Sequence, residues 1–429
     1  MSKNEQIRQT LAETRARREN QLCRVFKLKI DESSLKPAQL EAIRMQFVEA
    51  KWLVNEIIHW SSLSDDNKIW EYELRDDVVH LDKERNKIIS KFCYLGAQQR
   101  QQVLRDLVSN VKTLSSLKKN GYRVGKLGFR SEVRSIGFKQ YGISHKIVSK
   151  RKFKIAKIPE PVRVHGIEQL LNSRGSLRKD IELANARLLN TPRGYYIALT
   201  TFTKKPRRKT QDTNIGVDLG CSTTVTLSNR EKHSVTVRES DRLKRLQRKL
   251  AKRKIKSKNR DKTRRLLRVE YAKMSDKKDD LANKLVNHIV SLGNVYMQDD
   301  NIHGWKVMHG KTVHHSVLGR LKTKLARKAE YVLDRFEATT KTCRHCGKTN
   351  ELTLRDRIYT CDCGAAQEDR DVHAAKNMIR LGMIRQGLPE FKPVETTVLS
   401  STNREGSSQL GSSWIGPRAV KMLDPSVKH

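Results

Sequence analysis

The chain changes periodicity several times. Cys23–Ile30 (CRVFKLKI) alternates polar and apolar positions, which predicts a strand with one buried face. From Ser33 to Ser115 the spacing becomes helical. LEAIRMQFVEAKWLVNEIIHW sets Ile43, Phe47, Val54 and Ile58 near one face, and a second helix is predicted over 96–114. This stretch reads as an ordinary helical bundle. Short strands then return, with turns at glycines 121, 125, 128, 137 and 142. They continue through Val162–Val164 and close at Tyr195–Phe202 (YYIALTTF), as in a small barrel. A second unit begins at Asn214. Ile215–Leu219 and Thr224–Ser228 predict a hairpin, followed by Ser234–Val237. Leu243, Leu246 and Leu250 mark one apolar stripe on a helix that is otherwise basic, and another helix is predicted over 276–291. Val295–Met297 predicts a buried strand. A helix at about His315–Lys328 and a strand Tyr331–Phe336 follow. Beyond Arg385 periodicity is lost to Ser, Thr, Gly and Pro, so 386–429 is expected to be a disordered tail.

Charge narrows the partners. The chain carries 88 Lys+Arg against 47 Asp+Glu over 429 residues, a net charge of +41. Such an imbalance opposes compaction by self-repulsion unless something anionic neutralises it. Nucleic acid is the natural partner, because each phosphate contact also releases a counterion. A membrane surface is a poor match, since the charge is spread along the chain rather than gathered on one amphipathic helix. No apolar run approaches the roughly 20 residues needed to cross a bilayer. Residues 1–22 are polar and charged, and a cytoplasmic protein is expected.

Two segments concentrate the positive charge. Between Lys118 and Lys157 thirteen Lys/Arg meet one acid, Glu132, with Tyr122, Phe129, Phe138, Tyr141 and Phe153 interleaved. Basic residues beside aromatics suit backbone contact plus base stacking. Tyr122, Arg123, Lys126, Arg130, Arg134, Lys139 and Tyr141 are the candidates here. The bland alternative is a sheet with core aromatics and solvated charges, and the two can hold together on alternating faces. Between Arg242 and Arg268 fifteen Lys/Arg meet only Asp261. Like charges at helical spacing repel one another, so a phosphate backbone is expected against Arg245, Lys249, Lys252, Arg253 and Lys256.

Seven cysteines occur, and Cys23, Cys93 and Cys221 are expected to be buried thiols. The other four form Cys343-x-x-Cys346 and Cys361-x-Cys363, each pair followed by a glycine, with a short hairpin (LRDRIYT) expected between them. Four thiolates with no open position suit a structural zinc ion. Three acidic positions stand at strand ends or a helix start: Asp218 in NIGVDLG, Asp299–Asp300 in VYMQDDN, and Asp371 in EDRDVHAAKN. A carboxylate inside an apolar strand is costly unless a metal or hydrogen bonds compensate. Carboxylates converging on Mg²⁺ suit two-metal phosphodiester hydrolysis, with Asp218, Asp300 and Asp371 as the candidate ligands and catalytic residues.

NIGVDLG, QDDNIHGW, the cysteine knuckle and DRDVHAAKN, in that order over about 214–383, resemble the RuvC-type nuclease domain with its zinc-finger insert. That domain belongs to the TnpB transposon-encoded nucleases and the miniature type V CRISPR effectors. More loosely, GYRVGKLGFRSEV and RGYYIALTTF resemble the wedge barrel of that family. The resemblance implies an α+β multidomain architecture, in which an N-terminal wedge-like β-barrel (21–33 and 116–203) carries an inserted helical recognition bundle (34–115). A charged lead-in (1–20) precedes the barrel and a linker (204–213) follows it. An RNase H-like α/β domain (214–340 and 366–385) then carries a zinc ribbon insert (341–365). It also implies a guide RNA, a double-stranded DNA target beside a short adjacent motif, a monomer or homodimer, and a prokaryotic protein found at the nucleoid when bound to DNA. Asp218 matches the family's first catalytic Asp and Asp371 its last. The middle position departs: the family has Glu, and this chain offers Asp300, or Gln298 if the strand sets the alignment. His373 stands where Asn is usual. Three readings follow: an RNA-guided Mg²⁺-dependent DNA endonuclease, a cleavage-impaired RNA-guided binder acting as a repressor, and a guide-free zinc-ribbon regulator.

Overall fold

The computed structural model describes residues 3–388, apart from 64–67, 83, 85, 126, 206–210, 354–355 and 365–366. Lys126, the centre of the linker and most of the C-terminal tail therefore lie outside the described residues. The elements run α1 (Lys3–Glu19), β1 (Gln21–Ile30), α2 (Pro37–Ser62), β2 (Asp77–Leu81), β3 (Lys87–Lys91), α3 (Ala97–Lys119), β4 (Ser135–Phe138), β5 (His145–Ser149), β6 (Lys152–Ile155), β7 (Val162–His165), β8 (Ile181–Thr191) and β9 (Gly194–Lys204). There follow β10 (Asn214–Leu219), β11 (Val225–Leu227), β12 (Lys232–His233), α4 (Asp241–Ala251), α5 (Lys258–Leu292), β13 (Asn294–Gln298), α6 (Ile302–His315), α7 (Leu318–Ala326), β14 (Tyr331–Leu333), β15 (Ile358–Tyr359), β16 (Glu368–Asp369) and α8 (Arg370–Arg385).

The fold is mixed α/β. Its N-terminal part is a seven-stranded sheet ordered β4-β8-β9-β1-β7-β6-β5. The sheet nearly closes: His145 on β5 hydrogen-bonds the carbonyl of Ala184 on β8 through Nε2 at 2.9 Å, drawing its two ends together. Burial of that imidazole pushes its pKa down to about 4. α2 and α3 pack on this sheet, and the expected face of Ile43, Phe47, Val54 and Ile58 is buried in one core with Leu28, Ile136 and Phe153. At the helix α2–α3 junction the side chain of Glu49 accepts the backbone N–H groups of Cys93, Tyr94 and Leu95, which fixes the start of the second helix.

The second part is a five-stranded sheet ordered β12-β11-β10-β13-β14. β12, β11 and β10 are antiparallel, while β10, β13 and β14 are parallel. One core holds Ile215, Val217, Val225, Val295 and Met297 with Leu285, Val286 and Ile289 of α5 and Leu318, Leu321 and Leu325 of α7. α8 packs on the same sheet and contributes Met378 and Met383 to a smaller cluster with Tyr296 and Leu333.

Several elements depart from the pattern reading. The stretch read as wholly helical holds the β2–β3 hairpin. The basic helix is two helices joined by a turn at 252–257, and α5 runs unbroken through the region read as a separate helix. Ser257 caps α5 by accepting the N–H of Arg260, and the first glycine after it is Gly293, so nothing stops the helix earlier. α6 lies where no helix was predicted, and the following helix starts at Leu318 rather than His315. Ser234–Val237 forms only an isolated bridge, Thr236 to Ser316. Cys23 and Cys93 are exposed and Cys221 half-buried, so these thiols are not core residues.

Candidate active site and metal centre

Gly216 sets the geometry of the carboxylate site. A Cβ there would lie 1.7 Å from the carbonyl oxygen of Ala375, so only glycine lets α8 rest directly on β10. Side chains two apart on a strand share a face, so Asp218 points to the side that α8 covers. Two strand residues advance about 6.6 Å. Four helix residues advance about 6 Å, which carries α8 from Ala375 back to Asp371. Asp371 therefore comes beside Asp218, and the two carboxylates feel each other.

Asp218 is pushed well above the usual carboxylate range, first by burial and then by the charges of Asp371 and Asp300, while Arg370 pulls the other way. Asp300 is pushed up to about 6 by burial, against the attraction of Lys322. Its Oδ2 is buried and meets no hydrogen-bond partner among the described residues. Asp371 is 26% exposed and lies 3.4 Å from the Arg370 guanidinium. Asp369 caps α8, its Oδ1 accepting the N–H groups of Asp371 and Val372 at 3.1 and 3.2 Å. Its Oδ2 accepts from Lys232 at 2.7 Å.

These groups fit a cation. Asp218 is raised by burial and its acidic neighbours, Asp300 by burial, and one buried oxygen of Asp300 is left without a donor among the described residues. The carboxylate oxygens of Asp218, Asp300 and Asp371 are not among the groups of the described residues whose ligand atoms all lie within 4.8 Å of one another.

At the middle position the neighbouring side chains are differently engaged. Gln298 is 7% exposed and spent on scaffolding. Its Nε2 donates to the carbonyls of Asp334 and Glu337 at 2.9 and 2.7 Å, and its Oε1 accepts from the Thr339 hydroxyl at 2.9 Å. Asp299 is exposed and pairs with Lys322 at 2.6 Å. Of these two acids, Asp300 is the one whose charge reaches Asp218.

The four thiols gather as the spacing requires. Cys343 and Cys363 sulfurs lie 3.7 Å apart, as do those of Cys346 and Cys361, and all four lie within 4.8 Å of one another. Gly347 and Gly364 take φ of 75° and 76°, the left-handed turn after each pair. This four-cysteine cluster is compatible with a zinc ribbon. The hairpin expected inside LRDRIYT does not form among the described residues; Ile358–Tyr359 pairs instead with Glu368–Asp369. That pairing ties the knuckle to the start of α8.

Residues missed by pattern reading brace the junction. His373 is 1% exposed and stacks on Tyr359 with ring centroids 3.5 Å apart. Its Nδ1 lies 3.0 Å from Glu368 and its Nε2 2.9 Å from the Thr342 carbonyl. Asn377 donates to the carbonyls of Thr339 and Thr342 at 2.8 and 2.7 Å. Burial works to raise Glu368, but hydrogen bonds from His373 and Lys376 and the charge of Arg344 overcome it and hold the carboxyl at about 2. A His two residues after the last Asp is the only trace of this brace in the sequence.

The nucleic-acid candidates divide. Tyr122 and Phe129 are 64% and 67% exposed, whereas Phe138 and Phe153 are core residues. Arg123, Arg130 and Lys139 are exposed. Tyr141 is half-buried, its hydroxyl accepting the Ile147 N–H. Arg134 pairs with Glu132, which Arg268 of α5 also approaches at 3.4 Å. Arg245, Lys249, Lys252 and Lys256 are exposed along α4 and its C-terminal turn. Arg253 is turned inward and donates to the Asn259 carbonyl, as a turn former. No described helix is long and apolar enough to cross a membrane.

Parts of the chain match known proteins. Residues 197–295 match the family model described as "Probable transposase", and 314–378 match that described as "Cas12f1-like, TNB domain". The chain is 31% identical over 183 residues to a "Putative RNA-guided DNA endonuclease" of Streptomyces pristinaespiralis, covering 39% of this chain and 45% of that one. It is 28% identical over 207 residues to "Putative transposase R186" of Acanthamoeba polyphaga mimivirus, covering 41% of each. Over 45 residues, 10% of this chain and 8% of the other, it is 44% identical to "TnpB-like protein L79" of the same virus. The chain thus spans less than half the length of these relatives. The knuckle and Asp371 fall within the second matched segment, and Asp218 within the first. The likeness to the TnpB transposon-encoded proteins and the miniature type V effectors, read from the motifs, is borne out over these segments.

Proposed function

We propose that this protein is an RNA-guided DNA endonuclease whose cutting centre is Asp218, Asp300 and Asp371. The observation that carries the reading is the arrangement of three acids around the β10–α8 contact, with Asp218 raised by the other two and an Asp300 oxygen left without a donor. The sheet order, with three antiparallel strands followed by two parallel ones, supports an RNase H-like unit. The names of the matched relatives support guide RNA and DNA as the partners.

Asp218, Asp300 and Asp371 would hold Mg²⁺, which supplies an activated water and stabilises charge on the leaving 3′ oxygen. The protein's own part is positioning. Gly216 brings Asp371 onto Asp218, and Asp369 holds the first turn of α8. The four-cysteine knuckle, closed by structural zinc, fixes the base of α8 through Tyr359, His373 and Asn377. The exposed Arg245, Lys249, Lys252 and Lys256 neutralise the phosphate backbone of RNA or heteroduplex, and Tyr122 and Phe129 offer stacking faces.

A second reading is a guided binder that has lost cutting, because Asp300 is one methylene shorter than Glu and active-site geometry tolerates only about 0.5 Å. One experiment separates the two. The full chain is purified with its co-expressed RNA and offered matching DNA with Mg²⁺. Cutting that disappears in Asp218→Ala and Asp371→Ala, with DNA affinity retained, supports the nuclease. DNA that is bound but cut only after Asp300→Glu supports the binder.

A further inference from the structure

A second group of metal-binding side chains lies at the far end of the same sheet. Glu231, just before β12, and His233 on β12 flank Lys232, and His288 projects from the last turns of α5. Their ligand atoms all lie within 4.8 Å of one another. Both imidazoles aim Nε2 at one carboxylate oxygen: Glu231 Oε2 is 2.8 Å from His288 Nε2 and 3.3 Å from His233 Nε2. Donors about 2.0–2.1 Å from one tetrahedral ion sit about 3.3 Å apart, so the set needs little adjustment to close on a metal.

The carboxylate is also oriented from behind. Asn229 Nδ2 donates to Glu231 Oε1 at 2.7 Å, and Asn229 Oδ1 accepts the Glu231 N–H at 3.0 Å. Arg230 takes φ of 75°, a left-handed turn that swings Glu231 onto the α5 side. Outer partners of this kind fix one oxygen of a ligating carboxylate and leave the other for the ion. The three side chains remain 32–44% exposed, so an ion has an entry path and room for water as a further ligand.

We infer that Glu231, His233 and His288 form a site for a divalent transition-metal ion of the zinc, nickel or cobalt class, separate from both the four-cysteine knuckle and the three aspartates. Two imidazoles and one carboxylate select these ions over Mg²⁺ and Ca²⁺, which take oxygen ligands. The ion pins β12 to α5. Lys232, between Glu231 and His233, pairs with Asp369, and Asp369 caps the helix that bears Asp371. The site therefore steadies the edge strand on which the α8 N-terminus leans.

The test uses the zinc-loaded full chain carrying Asp218→Asn and Asp371→Asn, so that the carboxylate centre does not compete. Ni²⁺ is titrated by calorimetry. One saturable Ni²⁺ per chain is expected, with affinity at least tenfold weaker in His288→Gln and in His233→Gln. The exposed control His303→Gln should leave it unchanged. Glutamine can still hydrogen-bond Glu231, and an unchanged circular dichroism spectrum shows that each variant folds. Should a variant not fold, X-ray absorption of the Ni²⁺-loaded parent, showing two imidazole ligands, serves instead. No saturable site, an affinity within tenfold of the parent's in either glutamine variant, or an absorption spectrum without imidazole overturns the inference. None of these outcomes bears on the cutting centre.

Discussion

Replacing Asp300 by Asn stabilises the protein in the absence of Mg²⁺. The carboxyl is pushed from its ordinary 3.8 up to about 6. The folded state therefore binds this proton more tightly than the unfolded chain does. Below both values the group is neutral in both states and neutral with respect to stability. As pH rises from about 4 to 6 the unfolded chain ionises first, and stability falls; above about 6 the full penalty is present. A shift of about two units at 1.36 kcal/mol each sets a ceiling of about 3 kcal/mol at pH 7.5. The same linkage leaves about 1 kcal/mol at pH 4.5. Asn is isosteric and uncharged, so Asp300→Asn removes the penalty. At roughly 2–4 °C per kcal/mol for a unit of 150–250 residues, the melting temperature rises by several degrees. The assay is thermal unfolding in buffer free of Mg²⁺ and of chelator, which leaves zinc in place. Added Mg²⁺ should then largely cancel the difference, since a ligand at 100 times its Kd stabilises the wild type by about 2.7 kcal/mol. An Asp300→Asn variant less stable than wild type without Mg²⁺, or a difference that does not shrink at pH 4.5, refutes the reasoning.

Four further outcomes follow from the structure. Cys343→Ser or Cys361→Ser should lose one zinc per chain by elemental analysis and destabilise the part that includes α8; full stability after chelation contradicts a structural ion. Gly216→Ala forces a Cβ against the Ala375 backbone and should cost about 1–3 kcal/mol or more in denaturant unfolding. It should also reduce cutting, and a wild-type rate would show that the β10–α8 contact does not set the site. Glu368, held at about 2 against an ordinary 4.5, contributes stability that is complete above pH 4.5 and is lost as pH falls toward 2. Glu368→Gln should flatten that acid limb, and an unchanged limb removes the brace from the account. Changing Arg245, Lys249, Lys252 and Lys256 to Gln should lower the slope of log affinity against log salt by about 3 for nucleic acid, at 0.7–0.9 per phosphate contact. An unchanged slope returns α4 to a solvated face.

The sequence made visible what depends on short-range spacing. Alternation located β1, short apolar strand patterns located β9, β10 and β13, and the cysteine pairs and strand-end acids pointed to the two centres. What it concealed depends on the third dimension. Nothing in NIGVDLG distinguishes a glycine that lets a helix approach from one that merely bends a strand, yet Gly216 lets α8 rest directly on β10. A one-residue alignment shift hides that Gln298 is tied up by the turn at Asp334–Thr339, which takes all the glutamine's hydrogen bonds. α6 was invisible because Gly304, Gly310 and four histidines give it no apolar stripe. The first half of α5 is charged on nearly every face, so its continuity with the apolar second half left no mark. The β2–β3 hairpin is too short for its alternation to stand out from the helices around it. His288 meets Glu231 from 57 positions away, beyond any local motif.

The central claim is that the three aspartates cut guide-matched DNA. Its most direct measurement is cleavage of a DNA matching the co-purified RNA, by wild type, Asp218→Ala and Asp371→Ala, with and without Mg²⁺. The account predicts cutting by the wild type with Mg²⁺ alone, and none by either variant although both still bind the DNA. Absence of co-purified RNA, or cutting that survives Asp218→Ala, contradicts it.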